Sequence, residues 1–355
     1  VTQTPHYIGS LIKSEVTMKV RKEELLDSLP PEWPDDLFPA IQASIKKSGE
    51  KVIVLDDDPT GTQTVHGVPV LTEWSQDSLT QVFNEPEPVT YILTNSRSVS
   101  LSRAQEMNRE IASNLRIASQ ITEREYKVVS RSDSTLRGHF PGEVIALMDG
   151  IGDEIDGILI IPFFLEGARV TVEDTHYVGE GDLFVPAAET EFAKDSNFGY
   201  QHSNLRSWVS EKYEGIVNPQ DVKSISISDI RSGGPEGVAA KLGALSDAQV
   251  CIVNSVSYRD MEVFVAGLLQ AEMYGKNFIY RTAASFVRVR GGIAPRNLLT
   301  RNDLTDISKF DRGGLVIVGS YVQKSTDQLR ALESLPGIHS IELSVKRILD
   351  PDSKD

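Results

Sequence analysis

The sequence predicts an α/β protein: a mostly parallel sheet with flanking helices, followed by the beginning of a second α/β domain. Short β-rich runs recur at KVIVL (51–55), VTYILTN (89–95), YKVVS (126–130), GILIIPFF (157–164), SISIS (224–228) and VCIVNSV (250–256). Between them lie stretches with apolar residues at helical spacing, as in LSRAQEMNREIASNLRIASQI (101–121) and YRDMEVFVAGLLQAEMYG (258–275). These are long enough to cross between parallel strands. Several runs end directly in polar clusters, DDDPTGTQ after the first, NSRS after the second and RSDSTLRG after the third. In open α/β sheets ligands gather at the carboxyl ends of strands, so these clusters are expected to face one crevice.

In chain order, residues 1–48 read as an N-terminal extension packed on the main domain, because DSLPPEWPDDLFPA (27–40) is too rich in proline for a long helix. Residues 49–290 hold the strand and helix runs of the main ligand-binding α/β domain. The polar, loop-like stretch at 291–313 reads as a linker. A further βαβ unit opens at 314, with GLVIVGS (314–320), an amphipathic STDQLRALESL (325–335) and HSIELSV (339–345). Residues 314–355 thus read as the start of a second α/β domain that is not complete.

The chain has 355 residues, 40% of them hydrophobic, ordinary for globular domains with a substantial core. Thirty-six Lys and Arg against 51 Asp and Glu give a net charge of -15, which disfavours nucleic acid and anionic membrane as partners and favours a small molecule. The single cysteine, Cys251, forms no intrachain disulfide, and no Cys/His spacing of a zinc site occurs. GILIIPFF, the longest strongly apolar run, is too short to span a bilayer, and the N-terminus lacks a secretory core. A soluble cytoplasmic protein is expected, with homo-oligomerisation open.

LDDDPTGTQTVHG (55–67) crowds three carboxylates at the end of an apolar run, which calls for something to neutralise them. Asp56, Asp58 and Thr60 satisfy D-x-D-x-T, the loop of magnesium-dependent dehalogenase-type phosphatases, with Asp56 as nucleophile. The bland alternative is an Asx-turn before Pro59 and Gly61. RSDSTLRGHFPGE (131–143) gathers Asp133, Ser134, Thr135, Arg137 and Gly138, the acceptors, hydroxyls and planar guanidinium that hold a polyol carboxylate. A capped helix start would use the same residues. PFFLEGARVTVEDTHYV (162–178) places Glu166, Arg169, Thr171 and His176 after another strand, and FIYRTAASFVRVRGG (278–292) places Arg281, Thr282 and Ser285. His66 and His176 read as packed or hydrogen-bonded histidines as readily as bases.

Together these segments resemble the four-carbon acid sugar kinases. LDDDPTGTQ is similar to that family's DDxTG opening, SDSTLRG to its K-x-DSTLRG segment, and IPFFLEGARVTVEDTHYV to its P-x-F-x-x-x-G-R-T-T-x-x-G-x-HYV segment. AAETEFAKD (187–195), NSVSYRD (254–260), YRTAASFVR (280–288) and GLVIVGSYVQKSTDQLRAL (314–332) extend the resemblance from about residue 50 to the C-terminus. Arg131 stands where the family usually has lysine, Ala168 and Asp174 where it has glycine, and Val170 where it has threonine.

The resemblance implies an ATP-dependent kinase, using Mg2+, that phosphorylates a four-carbon sugar acid of the threonate, erythronate or oxo-tetronate type. The acid binds in the first domain and the nucleotide in the second. On this reading Asp57 or Asp58 accepts the hydroxyl proton, with repulsion among the carboxylates raising at least one pKa. Arg137 and Arg169 hold the carboxylate, with Arg97 a further candidate. Asp133, Ser134 and Thr135 meet the hydroxyls, Arg131 and Thr171 complete the substrate contacts, and Gly319 and Ser320 approach the nucleotide. The family's later glycine-rich GGDTSG-like and KSGNFG-like segments have no counterpart before Asp355, so the chain is expected to be part of a longer kinase. A non-catalytic acid-sugar-binding protein is the other alternative.

Overall fold

The computed structural model describes residues 19–297, 300, 313–320, 323–344 and 347. Residues 1–18 of the expected extension, 298–299 and 301–312 of the expected linker, and 321–322, 345–346 and 348–355 of the expected second domain lie outside the described residues. The chain divides into two units, Val1–Arg296 and Asn297–Asp355.

The strands of the first unit are β1 (Val20–Arg21), β2 (Lys51–Asp56), β3 (Val70–Leu71), β4 (Val89–Leu93), β5 (Tyr126–Arg131), β6 (Gly157–Ile161), β7 (Arg169–Val172), β8 (Thr175–Glu180), β9 (Leu183–Pro186), β10 (Lys223–Ile225), β11 (Gln249–Val253) and β12 (Phe278–Thr282). Its helices are α1 (Lys22–Asp27), α2 (Phe38–Ser48), α3 (Gln76–Asn84), α4 (Leu101–Thr122), α5 (Gly142–Ile151), α6 (Leu205–Lys212), α7 (Ile227–Gly243), α8 (Tyr258–Met273) and α9 (Ala284–Arg290). Eight strands form one sheet in the order β10-β11-β6-β12-β5-β2-β4-β3, with every neighbouring pair parallel.

This sheet is apolar on both faces, which is why its strands read as continuous hydrophobic runs. Val52 and Val54 enter the core under α2, α7, α8 and α9, whereas Ile53 and Leu55 enter the core under α3, α4, α5 and α6. Leu159 and Ile161 divide from Ile158 and Ile160 in the same way. Each buried aliphatic side chain contributes roughly 1.5–3 kcal/mol, so truncating one such as Ile160 costs about 2–5 kcal/mol. Helix starts follow local chemistry. Ser100 caps α4 through Arg103 N, and Ser257 and Asp260 form a capping box on α8.

Three local expectations change. SISIS does not continue as a strand past Ile225, because Ser226 and Asp229 form a capping box that starts α7 at Ile227. The stretch after GILIIPFF folds into strands: β7, β8 and β9 join β1 in a four-stranded antiparallel sheet ordered β1-β9-β8-β7. Its β7–β8 turn is Glu173-Asp174, with φ of 48° and 60°. That is the positive-φ pair of a two-residue hairpin, disguised because neither residue is glycine. In the second unit the expected helix forms as α10 (Gln323–Glu333), but 314–320 and 339–344 carry no strand among the described residues. Leu315 and Ile341 are 85% and 86% exposed there. A β-rich run becomes a strand only with a neighbour to complete its hydrogen bonds.

The site follows from the strand order. The chain steps from β2 to β4 on one side, then crosses back to β5 on the other. The carboxyl end between β2 and β5 is therefore a topological switch point, where the connections leaving these adjacent strands run to opposite sides and open a crevice.

Candidate functional site

Asp56 ends β2 directly opposite Arg131, its register partner on β5. Arg131 Nη1 lies 3.3 Å from Asp56 Oδ1, and its Nη2 donates to Gln63 at 3.2 Å. Both partners are buried. Gly61 folds the following loop over this carboxylate so closely that a Cβ there would lie 1.5 Å from Asp56 Oδ2. Asp57 is buried at the end of β2. Its Oδ2 accepts from Ser132 Oγ at 2.7 Å and faces Arg97 Nε at 3.2 Å, an ion pair not aligned as a hydrogen bond, while its Oδ1 is buried with no donor. Asp58 forms the expected Asx-turn, accepting from Thr60 N at 2.8 Å, and pairs with Arg97 Nη2 at 2.5 Å.

The three aspartates consequently differ in acidity. Burial, partly offset by Arg131, pushes Asp56 up to about 7. Burial, partly offset by Arg97 and the Ser132 hydroxyl, pushes Asp57 up to about 6. Burial also acts on Asp58, but the Thr60 hydroxyl and Arg97 outweigh it and hold the group below the usual carboxylate range. Desolvation thus raises these groups first. Mutual repulsion, the cause expected from the sequence, ranks behind it.

The loop after β5 is held from below. Ser132 N donates to Thr282 O at 2.9 Å, and the buried Arg281 on β12 donates to the carbonyls of Asp133 (3.2 Å) and Arg137 (2.8 Å). Asp133 accepts from Arg137 Nε at 2.7 Å and from the Thr135 hydroxyl. Burial alone would raise Asp133, but Arg137, Arg97 and Thr135 together hold it far below the usual range. Gly138 has φ 112°, and a Cβ there would lie 2.8 Å from Ser132 Oγ and 3.2 Å from Asp57 Oδ2. Only glycine allows this close approach. An open cleft of about 950 Å³ adjoins the loop, with Arg97, Gly138, His139 and Lys212 in its wall.

The β7–β8 hairpin supplies Arg169, Thr171 and His176. His176 is fully buried between Thr171 Oγ1 (3.0 Å from Nδ1) and Ser134 O (2.8 Å from Nε2), and burial lowers it to about 4. It is a neutral strut between hairpin and loop. Arg169 and Arg137 both lie over the Phe192 ring, and Arg137 Nη1 also faces Asp195 at 3.5 Å.

The structure brings Asp57, Asp58 and Arg97 together directly, and links Asp133, Ser134, Thr135, Arg137 and Arg169 around the adjoining loop. Arg131 is occupied by Asp56, and Thr171 is fully buried against His176. Gly319 and Ser320 belong to the second unit, where both are exposed. Sequence reasoning missed Ser132, Phe192 and Asp195 as parts of the site and gave Arg281 no role. The polar residues within ETEFAKD were a signal for two of them, but Ser132 was masked by its neighbours in RSDSTLRG. Among the described residues, no group of three or more His, Cys, Asp or Glu side chains is placed to hold a metal ion, and no helix is long and apolar enough to cross a membrane.

A parallel sheet covered on both faces, with carboxylates, guanidinium groups and hydroxyls gathered at its switch point, defines an α/β domain with a candidate site suited to a small polar ligand. Residues 52–290 match the sugar-binding N-terminal domain model, and the chain belongs to that family, the four-carbon acid sugar kinase family its motifs resemble. It is 22% identical over 310 residues to a D-erythronate kinase of Heliobacterium modesticaldum, an alignment covering 84% of this chain and 64% of the relative. Two crystal forms of a Bordetella bronchiseptica domain of unknown function, a domain-swapped dimer with bound citrate, share its fold. Their TM-scores are 0.52 and 0.53 at 18% identity, over 68% of this chain and 55% and 57% of theirs. The chain therefore spans less than two thirds of the length of these relatives.

Proposed function

We propose that this chain binds a four-carbon sugar acid of the threonate, erythronate or oxo-tetronate type and presents one of its hydroxyls for phosphorylation by ATP, with Asp57 as the general base. The observation that carries this is the contrast within the aspartate triplet. Asp57 combines a pKa near 6 with an oxygen, Oδ1, that has no donor, whereas Asp58 is committed to Thr60 and Arg97 and is the weaker base. A base is most effective when its pKa lies near the working pH while it remains largely ionised. Asp56, the nucleophile a dehalogenase-type phosphatase needs, is buried against Arg131 under Gly61.

Phosphoryl transfer depends mainly on alignment and on charge stabilisation. Arg169 takes the substrate carboxylate, Thr135, Ser134 and Asp133 meet the hydroxyls, and Arg137 braces Asp133. Arg97 holds Asp57 and Asp58 in place and adds positive charge beside the reacting oxygen. Arg131 and Thr171 support the site from beneath. ATP is the phosphoryl donor and brings Mg2+ on its phosphates, with Gly319 and Ser320 assigned to the nucleotide. The D-erythronate kinase relative and the sugar-binding family support this substrate class.

Calorimetric titration of the chain with D-erythronate and L-threonate, followed by a phosphate-transfer assay with MgATP, tests the reading. Saturable acid binding is expected. Failure of the wild-type chain to bind any four-carbon acid would overturn it.

A further inference from the structure

Two guanidinium groups of like charge lie over one aromatic ring. The Cζ atoms of Arg137 and Arg169 are 5.2 and 5.5 Å from the Phe192 centroid. Two cations beside one ring call for negative density nearby; Asp133 attracts both, but only Arg137 pairs directly with acids. Arg137 is bound by Asp133 at 2.7 Å and faces Asp195 at 3.5 Å. Among the described residues Arg169 makes no ion pair with an acid. Its Nη1 donates to the Gly167 carbonyl, and its Nε is buried without an acceptor.

An aromatic face carries negative charge density and attracts a guanidinium without accepting its in-plane N–H bonds. That separates the two anchors physically. A carboxylate occupies the fork it holds, as Asp133 does on Arg137, whereas a ring holds the flat face and leaves the fork free. On Arg169 it is Nη2, which makes no hydrogen bond among the described residues, that is left for a carboxylate oxygen.

The ring is itself fixed. Phe192 lies in the short turn Glu191–Lys194, which is tied down by Tyr200 N donating to Ala193 O at 3.1 Å. Asp195, which ends the turn, accepts from Asn197 N at 2.9 Å and Phe198 N at 3.1 Å. One segment therefore supplies both the ring beneath the pair and the acid that holds Arg137.

We infer that Phe192 is a positioning residue for acid recognition: its ring orients the guanidinium of Arg169, with its unbonded Nη2, and thereby sets the preference for a four-carbon sugar acid over the corresponding neutral polyol. This rests on the proposal that Arg169 takes the substrate carboxylate. Phe192 also packs on the apolar core, and a purely packing role would tolerate leucine.

The test is calorimetric titration of the full chain with D-erythronate and with erythritol, the polyol lacking the carboxylate. Phe192→Leu keeps the packing and removes the π face, Phe192→Tyr keeps the face, and 3,4,5-trifluorophenylalanine at position 192 keeps the shape while draining the ring's negative density. Erythronate affinity is expected to fall about tenfold in the leucine variant, by a smaller factor in the fluorinated one, and to stay within about twofold in the tyrosine variant. Erythritol binding should be the same in all. Should leucine prevent folding, the fluorinated variant decides. Wild-type erythronate affinity in the leucine and fluorinated variants overturns the role of Phe192 alone, whereas a wild-type chain that binds no acid overturns the functional proposal together with it.

Discussion

Ser132 donates its hydroxyl to Asp57 at 2.7 Å, joining the ends of two adjacent parallel strands across the switch point. The bond favours the ionised form of a carboxylate that burial would otherwise protonate, and Arg97 adds to it. Asp57 is therefore both desolvated and mostly charged at neutral pH.

Asp57→Asn should retain acid binding within a few-fold and lower phosphate transfer by about 100-fold or more. Asp58→Asn should have a smaller effect on transfer. On the proposed mechanism, kcat should rise with pH through about 6 and level off above it, because the base must be ionised. Steady-state rates from pH 5 to 8 check this, and an acid limb that persists unaltered in a residually active Asp57→Asn variant would assign it to another group.

Stability should carry the opposite dependence from the same residue. With its folded pKa raised to about 6, Asp57 keeps a proton that the unfolded chain releases near pH 4. Its contribution therefore falls as pH rises from about 4 to 6, by up to about 3 kcal/mol. Urea unfolding of wild type and Asp57→Asn across that range should show the variant gaining relative stability with pH.

His176 acts in the other direction over nearly the same window. Lowered to about 4, it stays neutral in the fold while the unfolded histidine protonates below about 6.5. Stability is lost as pH falls from 6.5 towards 4, again by up to about 3 kcal/mol. His176→Gln should remove that loss, at the expense of a poorer fit at pH 7. Denaturation midpoints at pH 4.5 and 7 measure both effects.

Gly61→Ala should destabilise the fold by about 2–3 kcal/mol, because the new methyl would occupy the Asp56 carboxylate, 1.5 Å from Oδ2. Relief requires moving Asp56 and uncovering Arg131. Equilibrium unfolding tests this, and wild-type stability would show that the loop yields without disturbing the pair.

Ala168 and Asp174, which replace family glycines, have φ of 55° and 60°. Ala168→Gly should stabilise by about 1 kcal/mol by relieving the left-handed conformation. Asp174→Gly should instead cost about 2 kcal/mol, since the carboxylate binds Arg206 Nε at 2.6 Å and Asn254 Nδ2 at 2.8 Å. Opposite signs in urea denaturation are the expected result.

The parallel α/β architecture, the main strands and crossover helices, and the polar clusters at strand exits were legible from local sequence. Those features are written in the spacing of neighbouring residues, which fixes periodicity and direction before any long-range contact forms. The hairpin at 169–180 escaped because its turn, Glu173-Asp174, lacks the glycine that would advertise its positive-φ conformation. Which aspartate differs from its neighbours follows from long-range folding contacts alone. Asp57 and Ser132 stand 75 residues apart, and so do Asp56 and Arg131. Their acidities come from burial and from charges that other strands bring, neither of which adjacent residues encode. Phe192 became part of the site for the same reason, because a ring gains its place in recognition only when folding sets the guanidinium groups of Arg137 and Arg169 over its face.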